Sequence, residues 1–214
     1  MHARQSDGFR KGSTHPTRLR GDHMQPVPHV VGHIEKFCGP IVQGWSCDAD
    51  GNKMPFQVAQ MQGGPIAGTT TYSTLGLGKI PLRARNSDRV IRHELVMLSR
   101  SNTVPENLPA LLQEVAMEAM QRNYAYVRGE VIGPRGSLFQ GSTVTALYVA
   151  IPVYFPQEFS TVEYDVGRAI FAWLVPITDQ EASLINEIGW DEFETKLASQ
   201  DPDLLDFRRA SIVP

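Results

Sequence analysis

The sequence predicts an α+β fold, a single domain in which a mixed, largely antiparallel β-sheet is flanked by α-helices. Three observations lead there. Arg89–Ser99, Ser142–Tyr154 and Arg168–Val175 are apolar runs of strand length, rich in β-branched and aromatic residues. Leu108–Asn123 is amphipathic at the helical period, with Leu108, Leu111, Leu112, Val115 and Ala119 on one stripe. The last strand run feeds two more amphipathic segments before the chain ends. At 214 residues the chain is long enough for one well-buried core.

Residues 1–24 carry five Lys/Arg against two Asp/Glu and have no apolar periodicity. They read as a disordered leader or a non-native extension, with Met24 an alternative start, which places the domain at 25–214. Pro28–Cys38 is a short amphipathic helix ended by Gly39-Pro40. Ile41–Cys47 and Phe56–Met61 are strands around the turn Asp48–Asn52. Thr69–Leu77 is a Thr-rich strand running into Gly76-Leu-Gly78. Within Arg89–Ser99, Ile91, His93, Leu95 and Met97 share one face, and Glu94, Val96 and Leu98 lie on the other. Asn107 is placed to cap the helix that follows, while Glu114, Glu118 and Arg122 take its remaining surface. Ser142–Tyr154 is apolar on both faces and belongs in the centre of a sheet covered on both sides, with Pro152 marking a bulge or the end of pairing. Pro176 should stop the Arg168–Val175 strand, because proline cannot donate to a sheet ladder. Thr178-Asp-Gln-Glu181 is a capping-box pattern. Leu184, Ile185 and Ile188 then share a helix face, Gly189 ends it, and Trp190, Phe193 and Leu197 mark a second helix.

Motifs that carry chemistry are scarce. His29 and His33 stand one turn apart, but without an H-E-x-x-H arrangement or a third ligand they read as surface or packing residues. Asp48, Asp50 and Asn52 lack the sixth-position glycine and closing glutamate of a calcium loop. Around Gly78-Lys79, Ser73 and Ile80 occupy the places of the glycine and the hydroxyl that a phosphate loop needs. Pro81 breaks the dinucleotide pattern in the same stretch. His93 and Glu94 are neighbours on a strand and point to opposite faces, so they form no dyad. A hydrolase built from Ser99 or Ser142 with His93 would lack the G-x-S-x-G elbow. The sequence therefore assigns no catalytic residue, no metal ligand and no cofactor. Cys38 and Cys47 are too few for a disulfide framework. With no secretory h-region and no membrane-length apolar run, the expected location is the cytoplasm.

Charge is distributed unevenly. The net charge is −3, yet from Asp179 to Asp206 nine acids face Lys196 alone. Such an end repels nucleic acid and attracts a basic partner. Asp191, Glu192, Glu194, Asp201 and Asp203 are the candidate contacts. Oligomeric state is left open.

The succession Thr71–Gly78 (TYSTLGLG), Arg92–Arg100 (RHELVMLSR) and Leu108–Leu112 (LPALL) resembles the suppressor-of-fused domain family. Phe171–Thr178 (FAWLVPIT) and Leu204–Val213 (LLDFRRASIV) extend the resemblance, which covers about residues 40–213. It implies a protein-binding domain without enzymatic activity. Animal members sequester a Hedgehog-pathway transcription factor by gripping an extended peptide between two lobes, and this chain is too short for both. Compact bacterial relatives resemble immunity proteins that occlude a cognate toxin domain. By the same resemblance, Glu130 falls where animal members carry the acid of a Gly-acid pair lining the ligand groove. Glu118 departs from the aromatic residue expected earlier on the helix. A regulator or scaffold unrelated to toxins is the alternative that shares this physics.

Overall fold

The computed structural model describes residues 29–85 and 87–213; the leader at 1–24 lies outside them. Ten strands and four α-helices follow in the order α1 (His29–Cys38), β1 (Ile41–Cys47), β2 (Lys53–Met61), β3 (Thr69–Leu75), β4 (Leu82–Arg83), β5 (Val90–Ile91), β6 (His93–Arg100), α2 (Leu108–Gln121), β7 (Val131–Ile132), β8 (Val144–Ala150), β9 (Thr161–Tyr164), β10 (Gly167–Thr178), α3 (Asp179–Ile188) and α4 (Trp190–Gln200). The main sheet runs β1-β2-β3-β6-β10-β8-β7, with β9 beside the start of β10. Only β6 and β10 pair in parallel; the other pairs are antiparallel. The expected α+β class with a mixed, largely antiparallel sheet is the observed one.

Strand alternation explains how one sheet supports two cores. Along β10, Phe171, Trp173, Val175 and Ile177 pack with α1, α3 and α4 residues such as Ile34, Ile185 and Phe193. The intervening Ala172 and Leu174 pack with Leu112, Val115 and Ala119 of α2. A strand buried on both faces cannot alternate polar with apolar, which is why β10 reads as a continuous apolar run. The tail after α4 wraps around the sheet, placing Leu205 and Ile212 in the first core. Its Phe207 stacks on Phe139 in the second, with centroids 4.8 Å apart.

Several expected boundaries move. Pro176 does not stop its strand: β10 continues to Thr178, and Pro176 stands opposite Leu147 of β8. The Pro176 carbonyl accepts Arg209 Nη2 at 3.4 Å, so this residue's backbone faces away from β8 and the missing N–H costs no ladder bond. Arg89–Ser99 is not one strand. Val90–Ile91 pairs with Leu82–Arg83 in a separate two-stranded ribbon, and the main strand begins at His93. The Thr69–Leu77 strand ends at Leu75, with Leu77 in a 3-10 turn. Phe56–Met61 is extended forward to Lys53. Ser142–Tyr154 is in strand only from Val144 to Ala150 and lies one place from the edge, between β10 and the two-residue β7. Asn107 occupies the N-cap position of α2, but its side chain makes no capping bond; its Nδ2 donates instead to the Leu138 carbonyl at 2.9 Å. The capping box at α3 forms as read: Thr178 Oγ1 accepts the Glu181 N–H at 3.2 Å, and Glu181 Oε2 accepts the Thr178 N–H at 2.9 Å.

Candidate functional site: an arginine- and tyrosine-lined cleft at the β7 edge

Where α2 ends, the chain returns to the sheet and leaves a cleft of about 880 Å³. Helix α2 supplies Glu118 and Arg122, one turn apart and paired at 2.9 Å. Arg135, just after β7, also reaches Glu118, so one carboxylate holds two guanidiniums. The alternation of Tyr124-Ala-Tyr126 puts both rings on the same side, and they meet edge to face at 5.6 Å. Arg85 lies over the Tyr124 ring with its guanidinium carbon 5.6 Å from the centroid.

Glu130 sits on the rim of this cleft. Tyr124 donates its hydroxyl to Glu130 Oε1, and the Val127 N–H donates to Oε2 at 3.0 Å. Half-burial pushes this carboxyl above the usual glutamate range, while the Val127 N–H and Arg85 pull it back. Two backbone hydrogen bonds of 2.9 Å, from Gly129 N–H to the Val149 carbonyl and from Val149 N–H to the Glu130 carbonyl, fasten the Arg128–Glu130 turn to β8. Behind the cleft, Tyr126 and His93 are buried with ring centroids 6.4 Å apart. The Tyr126 hydroxyl and both His93 nitrogens have no hydrogen-bond partner among the described residues. Burial lowers the His93 pKa to about 4, which keeps the ring neutral at pH 7.

The acidic candidates separate into two places. Asp191 and Glu192 stand exposed in the first turn of α4. Glu194, one turn into the same helix, is already engaged: Arg128 holds it through Nε at 3.1 Å and through Nη2, and the Tyr148 hydroxyl donates to it at 2.6 Å. Partial burial raises the Glu194 carboxyl, but Arg128 and Tyr148 outweigh that and hold it below the usual range. Asp203 pairs instead with Arg100 at 2.9 Å, at the far end of β6. Asp201 takes a left-handed backbone conformation (φ 45°) where α4 ends. Arg128 thus ties Glu194 to the turn that carries Glu130, while Asp201 and Asp203 stand on a separate patch.

The remaining sequence candidates find plain roles. Ser99 Oγ donates to the Arg100 carbonyl and Ser142 Oγ to the Phe139 carbonyl, so neither serine meets His93. His33 stacks on Phe171 at 5.6 Å and contacts the Phe159 carbonyl at 3.2 Å. Asp48 closes its turn by accepting the N–H groups of Asp50 and Asn52 at 3.0 and 2.8 Å. The glycines of Gly76-Leu-Gly78 face a carboxyl group, but an internal one. Both N–H groups donate to Glu94 Oε1 at 2.9 Å, while Thr74 and Tyr164 give it their hydroxyls. Gly78 is obligatory there, since a Cβ would lie 2.7 Å from Tyr164 Cε2 and 2.8 Å from the Ala169 Cβ. Among the described residues, no helix is long and apolar enough to cross a membrane, and no three His, Cys, Asp or Glu residues are grouped to hold a metal ion.

Sequence reasoning placed Glu118 on the open surface of α2 and took Trp190 for a helix-face residue. The Tyr-x-Tyr alternation ahead of Gly129-Glu130 was the signal that could have located the cleft. A model of the Suppressor of fused protein (SUFU) family matches residues 52–210. The chain belongs to the suppressor of fused family. It is 21% identical over 165 residues to the immunity protein YqcF of Bacillus subtilis (strain 168), spanning 77% of this chain and 85% of that protein. The crystal structure of a putative suppressor of fused homologue from Neisseria gonorrhoeae FA 1090 superimposes with a TM-score of 0.64 at 24% identity, covering 87% of this chain and 96% of the other. A chain of the Sufu–Fu complex crystal structure gives a TM-score of 0.64 at 17% identity over 88% of this chain and 93% of that one. Drosophila Suppressor of Fused gives 0.61 at 16% identity, over 89% of this chain but only 54% of the Drosophila one. This suppressor of fused domain therefore has the fold of bacterial and animal members alike.

Proposed function

We propose that this suppressor of fused domain works by binding another protein, and that it is an immunity protein which occludes a cognate toxin domain. The observation that carries the reading is its similarity to an immunity protein across 85% of that protein's length. The cleft supplies a place for the contact, lined by Glu130, guanidiniums and tyrosines, and the exposed acids Asp191 and Glu192 of α4, outside that lining, add charge to the same face as the Arg128–Glu130 turn that Trp190 covers. Asp201 and Asp203, the latter paired with Arg100, form a second acidic patch apart from the cleft that the partner would also meet. A basic toxin surface would meet these carboxylates at the rim, where charge governs encounter rate and partner choice. The partner is a protein, not nucleic acid, and no step requires a cofactor. The site of action is the cytoplasm.

Co-expression with the protein encoded by the adjacent reading frame tests this. The expected result is a stoichiometric complex, rescue of growth, and binding at least about tenfold weaker after Asp191→Lys/Glu192→Lys. An adjacent product that is not toxic, and no complex at about 1 μM, would remove the proposal. A regulator or scaffold unrelated to toxins would bind a non-toxic partner through the same surface.

A further inference from the structure

Trp190 is the only aromatic residue among the large exposed apolar side chains of the described chain, at 37% exposure. It is nevertheless held firmly. Its ring lies directly on the Gly129 backbone, so that a Cβ at position 129 would come within 2.6 Å of Trp190 Cδ1. The Arg128 guanidinium carbon stands 4.6 Å from the ring centroid, a cation–π distance. The same guanidinium makes its two-pronged contact with Glu194, one helical turn further along α4. Tyr148 of β8 secures Glu194 in turn. Two side chains of one helix, Trp190 and Glu194, therefore grip the Arg128–Glu130 turn from outside while the Val149 hydrogen bonds fasten it to the sheet. The next side chain along is Glu130.

We infer that Trp190 and Glu194 are positioning residues for Glu130: the first turns of α4 fix the Arg128–Glu130 turn and so set where the rim carboxylate stands in the cleft. The inference deepens the functional reading above and depends on it only for the consequence, since the coupling between α4 and the turn is a property of the free protein. It also gives Glu194 a task other than touching the partner. The two Val149 bonds hold the turn from the sheet side, and Tyr124 and the Val127 N–H hold the Glu130 carboxylate itself, so α4 supplies the side-chain contacts to Arg128 and Gly129. Gly129 adopts φ +95°, a conformation open mainly to glycine, and contributes no side chain of its own. Among the charged groups of the cleft, Arg85, Glu118, Arg122 and Arg135 come from other elements.

Amide hydrogen exchange on the free protein decides it. In Trp190→Ala, the Gly129 and Val149 amides are expected to exchange at least about tenfold faster, with Val96 and Leu174 in the central strands unchanged. The Glu130 carboxyl, followed by NMR titration, should move down toward the ordinary glutamate value as the turn loosens. Trp190→Phe should keep both readouts near wild type. If Trp190→Ala fails to fold, Arg128→Lys reports on the same grip, because lysine loses the fork and the stacking. Unchanged amides and an unchanged Glu130 titration in the folded variants would overturn the inference, as would an increase spread evenly over the sheet. Against the adjacent-frame protein, Trp190→Ala should bind at least about tenfold more weakly at an unchanged melting temperature. An unchanged affinity there also counts against it. If the wild type does not bind, the functional reading falls and the exchange experiment alone decides the coupling.

Discussion

Glu94 and Glu181 are both completely buried, at 0% exposure, and they solve the problem of a buried carboxylate in opposite ways. Glu181 faces a cation: Arg209 approaches it through Nη1 at 2.6 Å and Nη2 at 2.8 Å, and the N–H groups of Ile212 and Thr178 complete its shell. Burial raises its pKa, but Arg209 outweighs burial and the carboxyl ends below the usual value. Glu94 has no cation in its shell. Two backbone N–H groups and two hydroxyls surround it, and burial pushes its pKa up to about 7. Burial sets the cost, and the charge of the neighbour sets the outcome. Glu181 ties the C-terminal tail to the start of α3, whereas Glu94 shapes the glycine turn after β3.

Breaking the charged pair should have the largest effect. Arg209→Leu leaves Glu181 buried without its cation and is expected to cost about 3–5 kcal/mol, read from urea denaturation. Replacing both partners together, Glu181→Leu with Arg209→Leu, should cost less than Arg209→Leu alone. A double variant as unstable as the single one would mean that packing, not charge, holds the tail.

Glu94→Gln is expected to cost less, about 1–2 kcal/mol at pH 5, because it leaves the donors in place and mismatches one of them. Its pH dependence sharpens the contrast. The folded Glu94 value of about 7 stands above the ordinary 4.5, so its contribution is full below 4.5 and is lost as pH rises through 7. The Glu181 value stands below the ordinary one, so its contribution is present above 4.5 and disappears as pH falls through the folded value. Wild type should thus lose stability between pH 5 and 8 relative to Glu94→Gln. Parallel denaturation midpoints for the two proteins across that range would dismiss the assignment. The smallest effect sets the lower end of the scale. Arg168 and Glu163 pair at 2.6 Å with side chains 68% and 64% exposed, so Arg168→Gln should change stability by less than about 0.5 kcal/mol.

Much of the fold was legible because its signals are local. The capping box at Thr178, the apolar stripe of α2 and the Asx turn at Asp48 each need only residues a few positions apart. The errors arose where a local rule met a neighbour distant in the chain. Pro176 was read as a stop because proline cannot donate, but its missing N–H faces an edge where β8 takes no bond from it. Arg89–Ser99 was read as continuous, although its first residues pair with Leu82–Arg83 and not with the main sheet. The candidate site was less legible. Glu130 was placed on a ligand groove only through the family resemblance. Glu118 was left on the surface because Arg135, the second of its two arginines, lies seventeen residues further along.

The sequence by itself determined the four helices and the six longer strands, that the chain carries an acidic end, and that it resembles the suppressor of fused family. These are matters of periodicity, composition and order, all carried by neighbouring residues. Only the tertiary structure decided which acids remain free and which are consumed. Glu181, Glu194 and Asp203 look alike in the sequence, yet Arg209, Arg128 and Arg100 reach them from far along the chain. A carboxylate's charge state and availability depend on what stands within a few ångströms of it, and that neighbourhood exists only after the chain has folded.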